Sequence, residues 1–236
     1  MSIKKVIASI LVLIMFVSVG VAFAQYFSEV GADATAKAVA DLNNLKVMIG
    51  DPNGDFRGEA TITRAEFSVI LCRINGLEEL AKSHSGQASF TDTENHWAKN
   101  YIELAKTRKY IQGFPEGDFR PEESVTVGQT LTMLVRVLGY EDNDVKAKGF
   151  PYGYTGKAEE IGFASGANLR PYYLSEKQAL PATRNFVAFL VSRALDIPLR
   201  ELVYSDMTTG QEIHEIFDGN DGKELRTLRK RVFGGR

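Results

Sequence analysis

The chain has 236 residues, of which 44% are hydrophobic and 25% charged, and its formal net charge at pH 7 is −2. A mildly acidic chain has no basic footprint for DNA or RNA, so no nucleic-acid partner is predicted. Cys72 is the only cysteine. This excludes an intramolecular disulfide, and the fold must therefore depend on its own hydrophobic core.

The amino terminus predicts secretion. Two lysines precede an apolar run over 6–21, and a small-residue pattern, Ala-Phe-Ala, ends at Ala24. This pattern is typical of a signal peptide covering 1–24. The alternative is an uncleaved anchor, since the run is only slightly shorter than the ~20 residues that span a bilayer. Cleavage would leave no stable membrane span and would move the net charge from −2 to −4.

The central part of the chain contains an internal repeat. Residues 27–76 align with 90–139 without a gap, and 13 of the 50 aligned positions are identical. Seven identities lie in 50–59 and 113–122, within or just after a "GDF" turn. Self-similarity at a fixed spacing indicates that each copy is one structural unit.

The first copy predicts a helix, a tight turn and a second helix. The first helix covers roughly 36–47, where apolar residues recur at helical spacing. Pro-Asn-Gly-Asp at 52–55 predicts the turn, because proline fixes φ and glycine permits a positive φ. The second helix starts near Thr63 and is expected to end at Gly76. Its core-facing residues stand at i, i+3, i+4 and i+7: Phe67, Ile70, Leu71 and Ile74.

The same layout follows in the second copy and, less clearly, in a third. The second copy predicts helices at roughly 98–109 and from Thr126 to Gly139. In the third, 149–163 supplies a first helix and 179–195 a second, but the glycine-aspartate turn is missing. We interpret this as a divergent repeat. The predicted organisation is therefore the following: signal peptide 1–24, repeats 25–88, 89–148 and 149–199, and a basic tail 200–236.

Three such units behind a signal peptide resemble S-layer homology domains. The matching motifs are "FTDTENHWA" at 90–98, the "GDF" turns, "TRAE" at 63–66 and the Thr-Arg pair at 183–184. The resemblance implies a mainly α fold, with three helix-turn-helix repeats in a pseudo-threefold prism around a central three-helix bundle. It also implies that the secreted protein is a non-enzymatic anchor in the cell wall or S-layer. Its expected partners are secondary cell-wall polysaccharide, often pyruvylated, and other S-layer or surface proteins.

The start of the second helix carries the candidate binding residues. Thr63 and Glu66 fit a capping box, as do Thr126 and Gln129. Arg64 stands at the first helical position, where the helix dipole disfavours a cation. With free helix amides beside it, this arginine predicts a carboxylate or phosphate site. The alternative is a surface salt bridge from Arg64 to Glu59 or Asp55.

The other repeats depart from this pattern. The second has Val127 in place of the arginine, so we expect its site to be weak or unused. In the third, Thr183 and Arg184 retain the pair, but the capping glutamate is absent. Trp97 could stack on a sugar or anchor the first helix in the core. The predicted ligand-binding residues are Arg64, Arg184, Thr63, Glu66, Thr183, Asp92 and Trp97. We expect alanine at either arginine to weaken wall binding and to leave stability unchanged or slightly raised.

Other chemistry finds little support in the sequence. No motif marks a catalytic residue, a metal site or a cofactor, and none of these is predicted. An aromatic-rich patch could bind sugar or pack between repeats: Phe150, Tyr152, Tyr154, Tyr172 and Tyr173. The end of the tail, 222–236, has six basic residues and one acidic residue. It could be a solvated helix end, a contact for anionic wall polymer or the start of a domain. A cell-wall hydrolase and an assembly protein without sugar binding remain the alternative functions.

Overall fold

The computed structural model describes residues 32–145, 150–164, 176–205, 212–220 and 222–234. The predicted signal peptide, at 1–24, lies outside these residues. Within them the chain is mainly helical, as predicted, with one two-stranded sheet. None of the helices in this part of the chain is long and apolar enough to cross a bilayer.

The described residues form eight α-helices and one β-hairpin. The helices are α1 Ala32–Asn44, α2 Arg64–Ile74, α3 Glu78–Ser83, α4 Lys99–Thr107, α5 Val127–Val137, α6 Tyr152–Glu160, α7 Arg184–Ala194 and α8 Leu228–Phe233. The strands, β1 Arg200–Ser205 and β2 Glu212–Ile216, pair antiparallel. Short 3-10 helices lie at Asp142–Asp144 and Glu176–Ala179.

The first helix of each repeat packs on the second helix of a different repeat. Helix α4 of repeat two packs on α2 of repeat one, and α6 of repeat three packs on α5 of repeat two. The series closes because α1 of repeat one packs on α7 of repeat three. Each repeat therefore completes its core with a neighbour, in cyclic order. The threefold prism and its central bundle remain predictions.

A triangle of backbone hydrogen bonds joins the three repeats just before their second helices. The amide of Ile62 donates to the carbonyl of Ala182 at 3.3 Å, and the amide of Ala182 donates to Val125 at 2.8 Å. The amide of Val125 returns the bond to Ile62 at 2.9 Å. All three side chains are fully buried. This junction places the start of each second helix beside a segment of another repeat.

Backbone conformation repeats along with the sequence. Gly76 and Gly139 have φ of 69° and 95° and follow α2 and α5, so the predicted glycine terminators are confirmed. Arg57 and Arg120, 63 residues apart, both have positive φ, at 49° and 57°. The turns of the first and second copies therefore share a backbone conformation at this position.

The predicted tail is a folded part of the described structure. After the hairpin, α8 packs on α2 and buries Leu228 completely. Arg229 forms ion pairs with Asp41, near the end of α1, at 2.8 Å and with Asp196, after α7, at 2.7 Å. The tail helix thus spans the junction of repeats one and three. A wholly solvated helix end, one of the three interpretations, is wrong because of this burial.

Candidate functional site

The threonines that the sequence identified cap their helices. Thr63 Oγ1 accepts from the amide of Glu66 at 3.1 Å, and Glu66 Oε2 accepts from the amide of Thr63 at 2.8 Å. Thr126 and Gln129 form the same box, so both predicted capping boxes are confirmed. Thr183 accepts from Phe186 N at 3.3 Å without a reciprocal bond.

The amides at the helix starts are not free, contrary to expectation. Arg64 N donates to Glu123 O at 2.9 Å, and Ala65 N donates to Pro121 O at 3.0 Å. The corresponding bonds at α7 join Arg184 N to Ala60 O and Asn185 N to Gly58 O, both at 2.9 Å. In each case a segment of another repeat supplies the carbonyls. An anion site at α2 or α7 must therefore depend on side chains.

Arg64 is buried against the turn of repeat two, with 2% of its surface exposed. Its Nε donates to the carbonyl of Phe119 at 2.8 Å, and its Nη2 donates to that of Gln112 at 3.3 Å. The guanidinium lies over the rings of Phe119 and Phe114, 4.3 Å and 4.8 Å from their centroids. Burial lowers the pKa of Arg64 to about 10, which still leaves it charged at neutral pH.

The alternative for Arg64, a surface salt bridge to Glu59 or Asp55, is wrong. The side chain is buried, and its hydrogen bonds go to main-chain carbonyls of another repeat. Across the described part of the chain, Arg64 forms no ion pair with a carboxylate. Arg64 is therefore a buried cation without an ion-paired carboxylate among the described residues.

Arg184 makes the equivalent contacts with the turn of repeat one. Its Nε donates to Phe56 O at 2.8 Å and its Nη2 to Ile49 O at 2.9 Å. Phe56 and Ile49 stand 63 residues before Phe119 and Gln112. Arg184 is half-buried, and desolvation lowers its pKa as well. Both arginines thus hold the turn of a neighbouring repeat.

Arg64 also lines a cleft of about 230 Å³ between the turn of repeat two and α5. A second cation, Arg136, lies in the same lining, with 10% of its side chain exposed. Its Nε donates to Tyr154 Oη and its Nη2 to Asp142 Oδ1, each at 3.1 Å. The uncharged lining is Gln112, Gly113, Phe114, Pro115, Gln129, Thr132, Met133 and Phe150. The cleft therefore combines two guanidiniums with amide groups and apolar surface.

Sequence reasoning did not identify Arg136 as a functional residue. The sequence offered one signal: Arg136 aligns with Arg73, an identical residue, at the spacing of the repeat. Arg73 instead pairs with Glu78 at 3.2 Å. The spacing alone could not show that Arg136 would lie beside Arg64, because its position depends on how the repeats pack.

Asp92 and Trp97 lie outside the lining of this cleft. Asp92 Oδ1 accepts from the amide of Phe119 at 2.9 Å and Oδ2 from that of Arg120 at 2.7 Å, so the carboxylate fixes the turn. Trp97 is 61% exposed. The alternative of a buried anchor for Trp97 is therefore wrong, because most of its surface is exposed.

The aromatic-rich patch divides into different roles. Tyr154 is buried and donates its hydroxyl proton to Asp142, and burial raises its pKa to about 12. Phe150 and Tyr152 are 59% and 46% exposed, and Phe150 lines the cleft. Tyr172 and Tyr173 lie outside the described residues. Tyr154 is thus a packing residue, whereas Phe150 is available to a ligand.

Comparison with protein families agrees with this geometry. A model of the S-layer homology domain matches residues 28–68 and 89–130. Each matched segment contains a turn and the capped start of a second helix. The chain carries S-layer homology repeats. The matched segments fall in the first and second of the predicted repeats.

Relatives of these repeats occur in surface proteins. A "Surface layer protein" of Brevibacillus choshinensis is 34% identical over 171 residues, which cover 70% of this chain and 15% of that protein. A "Cell surface protein" of Thermoanaerobacter kivui is 32% identical over 220 residues, covering 90% of this chain and 27% of that protein. A "Cellulosome-anchoring protein" of Acetivibrio thermocellus is 36% identical over 106 residues, covering 44% of this chain and 23% of that protein.

The S-layer homology repeats span less than a third of the length of each of these relatives. The family match and the relatives indicate a location at the cell surface, in association with the wall, as the sequence predicted.

Proposed function

We propose that this chain is a non-enzymatic anchor that binds an anionic secondary cell-wall polysaccharide in the cleft at Arg64. The main observation behind this proposal is the environment of the Arg64 side chain. Its guanidinium is buried, its hydrogen bonds go to carbonyls, and it lines the cleft together with Arg136. Glu123, Asp92 and Asp118 stabilise this charge without an ion pair, and a carboxylate ligand would give it a direct counter-charge.

The size and lining of the cleft favour one charged sugar residue. About 230 Å³ is smaller than the ~300–1,000 Å³ typical of pockets for drug-sized ligands. A pyruvate ketal on a sugar supplies a carboxylate, which Arg64 and Arg136 can approach together. The amides of Gln112 and Gln129 can bond the sugar hydroxyls, and the ring of Phe150 offers a stacking surface.

The remaining predicted residues have supporting parts in this proposal. Thr63 and Glu66 fix the start of α2 and thereby the backbone of Arg64. Asp92 holds the turn that Arg64 contacts. Trp97 is proposed as a separate stacking platform, and Arg184, with its cap Thr183, as a second and more exposed contact.

Three of the relatives support the proposed anchoring role. Two are named as surface or surface-layer proteins and one as a cellulosome-anchoring protein. The stretch similar to this chain makes up 15%, 27% and 23% of these three proteins. The partner that this chain would hold at the surface is accordingly proposed to be another surface protein or domain.

Co-sedimentation with purified wall sacculi tests the proposal. The full chain is expected to sediment with sacculi and to stay in solution after chemical removal of the secondary polysaccharide. Arg136→Gln should weaken sedimentation about tenfold through the lost charged contact. Arg57→Gln is the matched control, because that arginine is exposed and outside the cleft. Unchanged binding after polymer removal, or release of soluble sugar by the protein, would contradict the proposal.

A further inference from the structure

A wide basic groove lies next to the Arg64 cleft. Its volume is about 890 Å³, and its walls come from the end of α4, the end of α5 and the β-hairpin. Six cations line it: Lys106, Arg108, Lys109, Arg136, Arg200 and Arg231. Only two acids, Glu141 and Asp142, stand among them. In the whole chain, by contrast, 28 basic residues face 30 acidic ones, so positive charge is concentrated in this groove.

Four of these cations form ion pairs within the fold, the fourth being Arg231. Lys109 pairs with Glu141 at 3.0 Å, and Arg136 with Asp142 at 3.1 Å. Arg200 pairs with Asp144 at 2.8 Å.

The remaining two cations, Lys106 and Arg108, are more available to a ligand. Within the described ranges neither has an ion pair; Arg108 is exposed, and the Lys106 ammonium lies 4.4 Å from the centroid of the Phe90 ring. Arg231 is 3.6 Å from Glu201 and keeps 44% of its side chain exposed. Unpaired like charges that are held together repel one another, so an anion in the groove would relieve the repulsion.

The hairpin wall of the groove is fixed to the end of α5. Arg200 N donates to Leu138 O at 3.0 Å, and Arg200 Nη1 donates to Gly139 O at 2.9 Å. A Cβ at Gly139 would lie 1.8 Å from the carbonyl oxygen of Arg200, so only glycine permits this approach. The groove is therefore preformed and does not need to be assembled by a ligand.

The groove and the Arg64 cleft are continuous. Gln112, Gly113 and Arg136 line both. We propose that the basic groove binds the next charged units of the same anionic polysaccharide whose first unit occupies the Arg64 cleft. This inference rests on the proposed function and adds that recognition extends beyond a single sugar. It also gives the hairpin, which the sequence left as tail, a part in binding.

The ligand is a polymer with repeated carboxylates or other anionic groups. Exposed lysine and arginine side chains attract such charges through water and tolerate variable geometry. The groove should therefore contribute affinity that grows with polymer length and falls with added salt. The affinity for a single charged sugar bound in the cleft should not depend on the unpaired cations of the groove.

The test is a titration of the full chain with wall polysaccharide split into one-unit and multi-unit fragments. The variant Lys106→Gln/Arg108→Gln removes the two cations without an ion pair. It should bind multi-unit fragments about tenfold more weakly than the unmodified chain, and one-unit fragments equally well. The control Arg57→Gln/Lys82→Gln removes the same charge from exposed positions outside the groove and the cleft. It should change either affinity less than twofold.

The outcomes separate the two proposals. If one-unit fragments bind but the groove variant holds long fragments as tightly as the unmodified chain, the groove proposal is wrong and the anchor stands. If the loss persists with fragments whose carboxyl groups are amidated, charge is not what the groove recognises, and the proposal is again wrong. If no fragment binds the unmodified chain, the proposed function fails and the groove proposal fails with it. Matched melting temperatures confirm that the variants are folded.

Discussion

The three junctions between repeats differ in one side chain. At two of them, Arg64 and Arg184 each donate from Nε to a phenylalanine carbonyl in the neighbouring turn, both at 2.8 Å. At the third, Val127 occupies the equivalent position and is fully buried. In the same cyclic order this position faces repeat three, since Val127 N donates to Leu180 O at 3.0 Å. Repeat three is the copy whose sequence lacks the glycine-aspartate turn.

The arginine and the turn are thus present together or absent together. The sequence presents these as two separate departures, a missing arginine in repeat two and a missing turn in repeat three. The contacts give both departures a single explanation, because the arginine of one repeat holds the turn of the next repeat. Binding is the second role that we propose, and among these junctions the strongest candidate is Arg64, which is buried and shares its cleft with Arg136.

The largest expected effect is on stability at Arg64. Arg64→Ala should lower the free energy of unfolding by about 3 kcal/mol, because two carbonyls lose a charged donor and two rings lose their contact. The melting temperature should fall by about 10 °C. This revises the expectation, drawn from the helix dipole alone, that stability would be unchanged or raised. An unchanged melting curve would show that Arg64 does not hold the turn.

Arg184→Ala should also lower the free energy of unfolding, by about half as much, roughly 1.5 kcal/mol. The bonds are equivalent, but Arg184 is half-buried, so water can replace the lost donor more easily. Chemical denaturation of Arg64→Ala and Arg184→Ala measures the two losses of unfolding free energy. A larger loss at Arg184 than at Arg64 would break the comparison between the two junctions.

Replacing a capping threonine should destabilise the protein less than replacing Arg64 or Arg184. Thr63→Ala should cost about 1 kcal/mol, because it removes one half of a reciprocal capping box. Thr183→Ala should cost less, since the Thr183 side chain accepts a longer capping bond, at 3.3 Å, and has no reciprocal partner. Thermal melts of the pair measure the difference. Equal losses would mean that Glu66 adds nothing to the first cap.

The smallest effect concerns Cys72. Its thiol is fully buried, and burial raises its pKa to about 12 from the usual 9.0. The neutral thiol should therefore react with alkylating reagents at pH 8 only after unfolding. Because the folded pKa is raised, its contribution to stability is complete below pH 9 and is lost as the pH approaches 12. Cys72→Ala should lack that part of the alkaline decline, and rapid labelling of the native chain would refute the prediction.

Local signals predicted the two helices of each repeat, but not α3 or α8. Threonine followed three positions later by glutamate or glutamine marked the starts of α2 and α5, and glycine marked their ends, because caps depend on neighbouring residues. The hairpin was not predicted. Its strands carry exposed apolar residues such as Leu202 and Tyr204 without a regular buried face, so they gave no clear strand pattern.

The candidate site was predicted only in part. The position of Arg64 at a helix start was read correctly, but its partners lie 48 and 55 residues away. The carbonyls that occupy the helix amides likewise come from another repeat. No spacing rule reports such long-range contacts, because they depend on how the repeats pack. For the same reason the cleft and Arg136 could not be foreseen.

We propose that Arg64 recognises a carboxylate while it holds the turn of repeat two. The most direct measurement is calorimetric titration of the unmodified chain and Arg64→Lys with a one-unit wall fragment and its carboxyl-amidated form. Lysine keeps the charge but loses the planar fork. The account predicts at least a tenfold preference of the unmodified chain for the free carboxylate, and a much smaller preference in Arg64→Lys at a temperature where both are folded. Equal affinity of the unmodified chain for both fragments would contradict it.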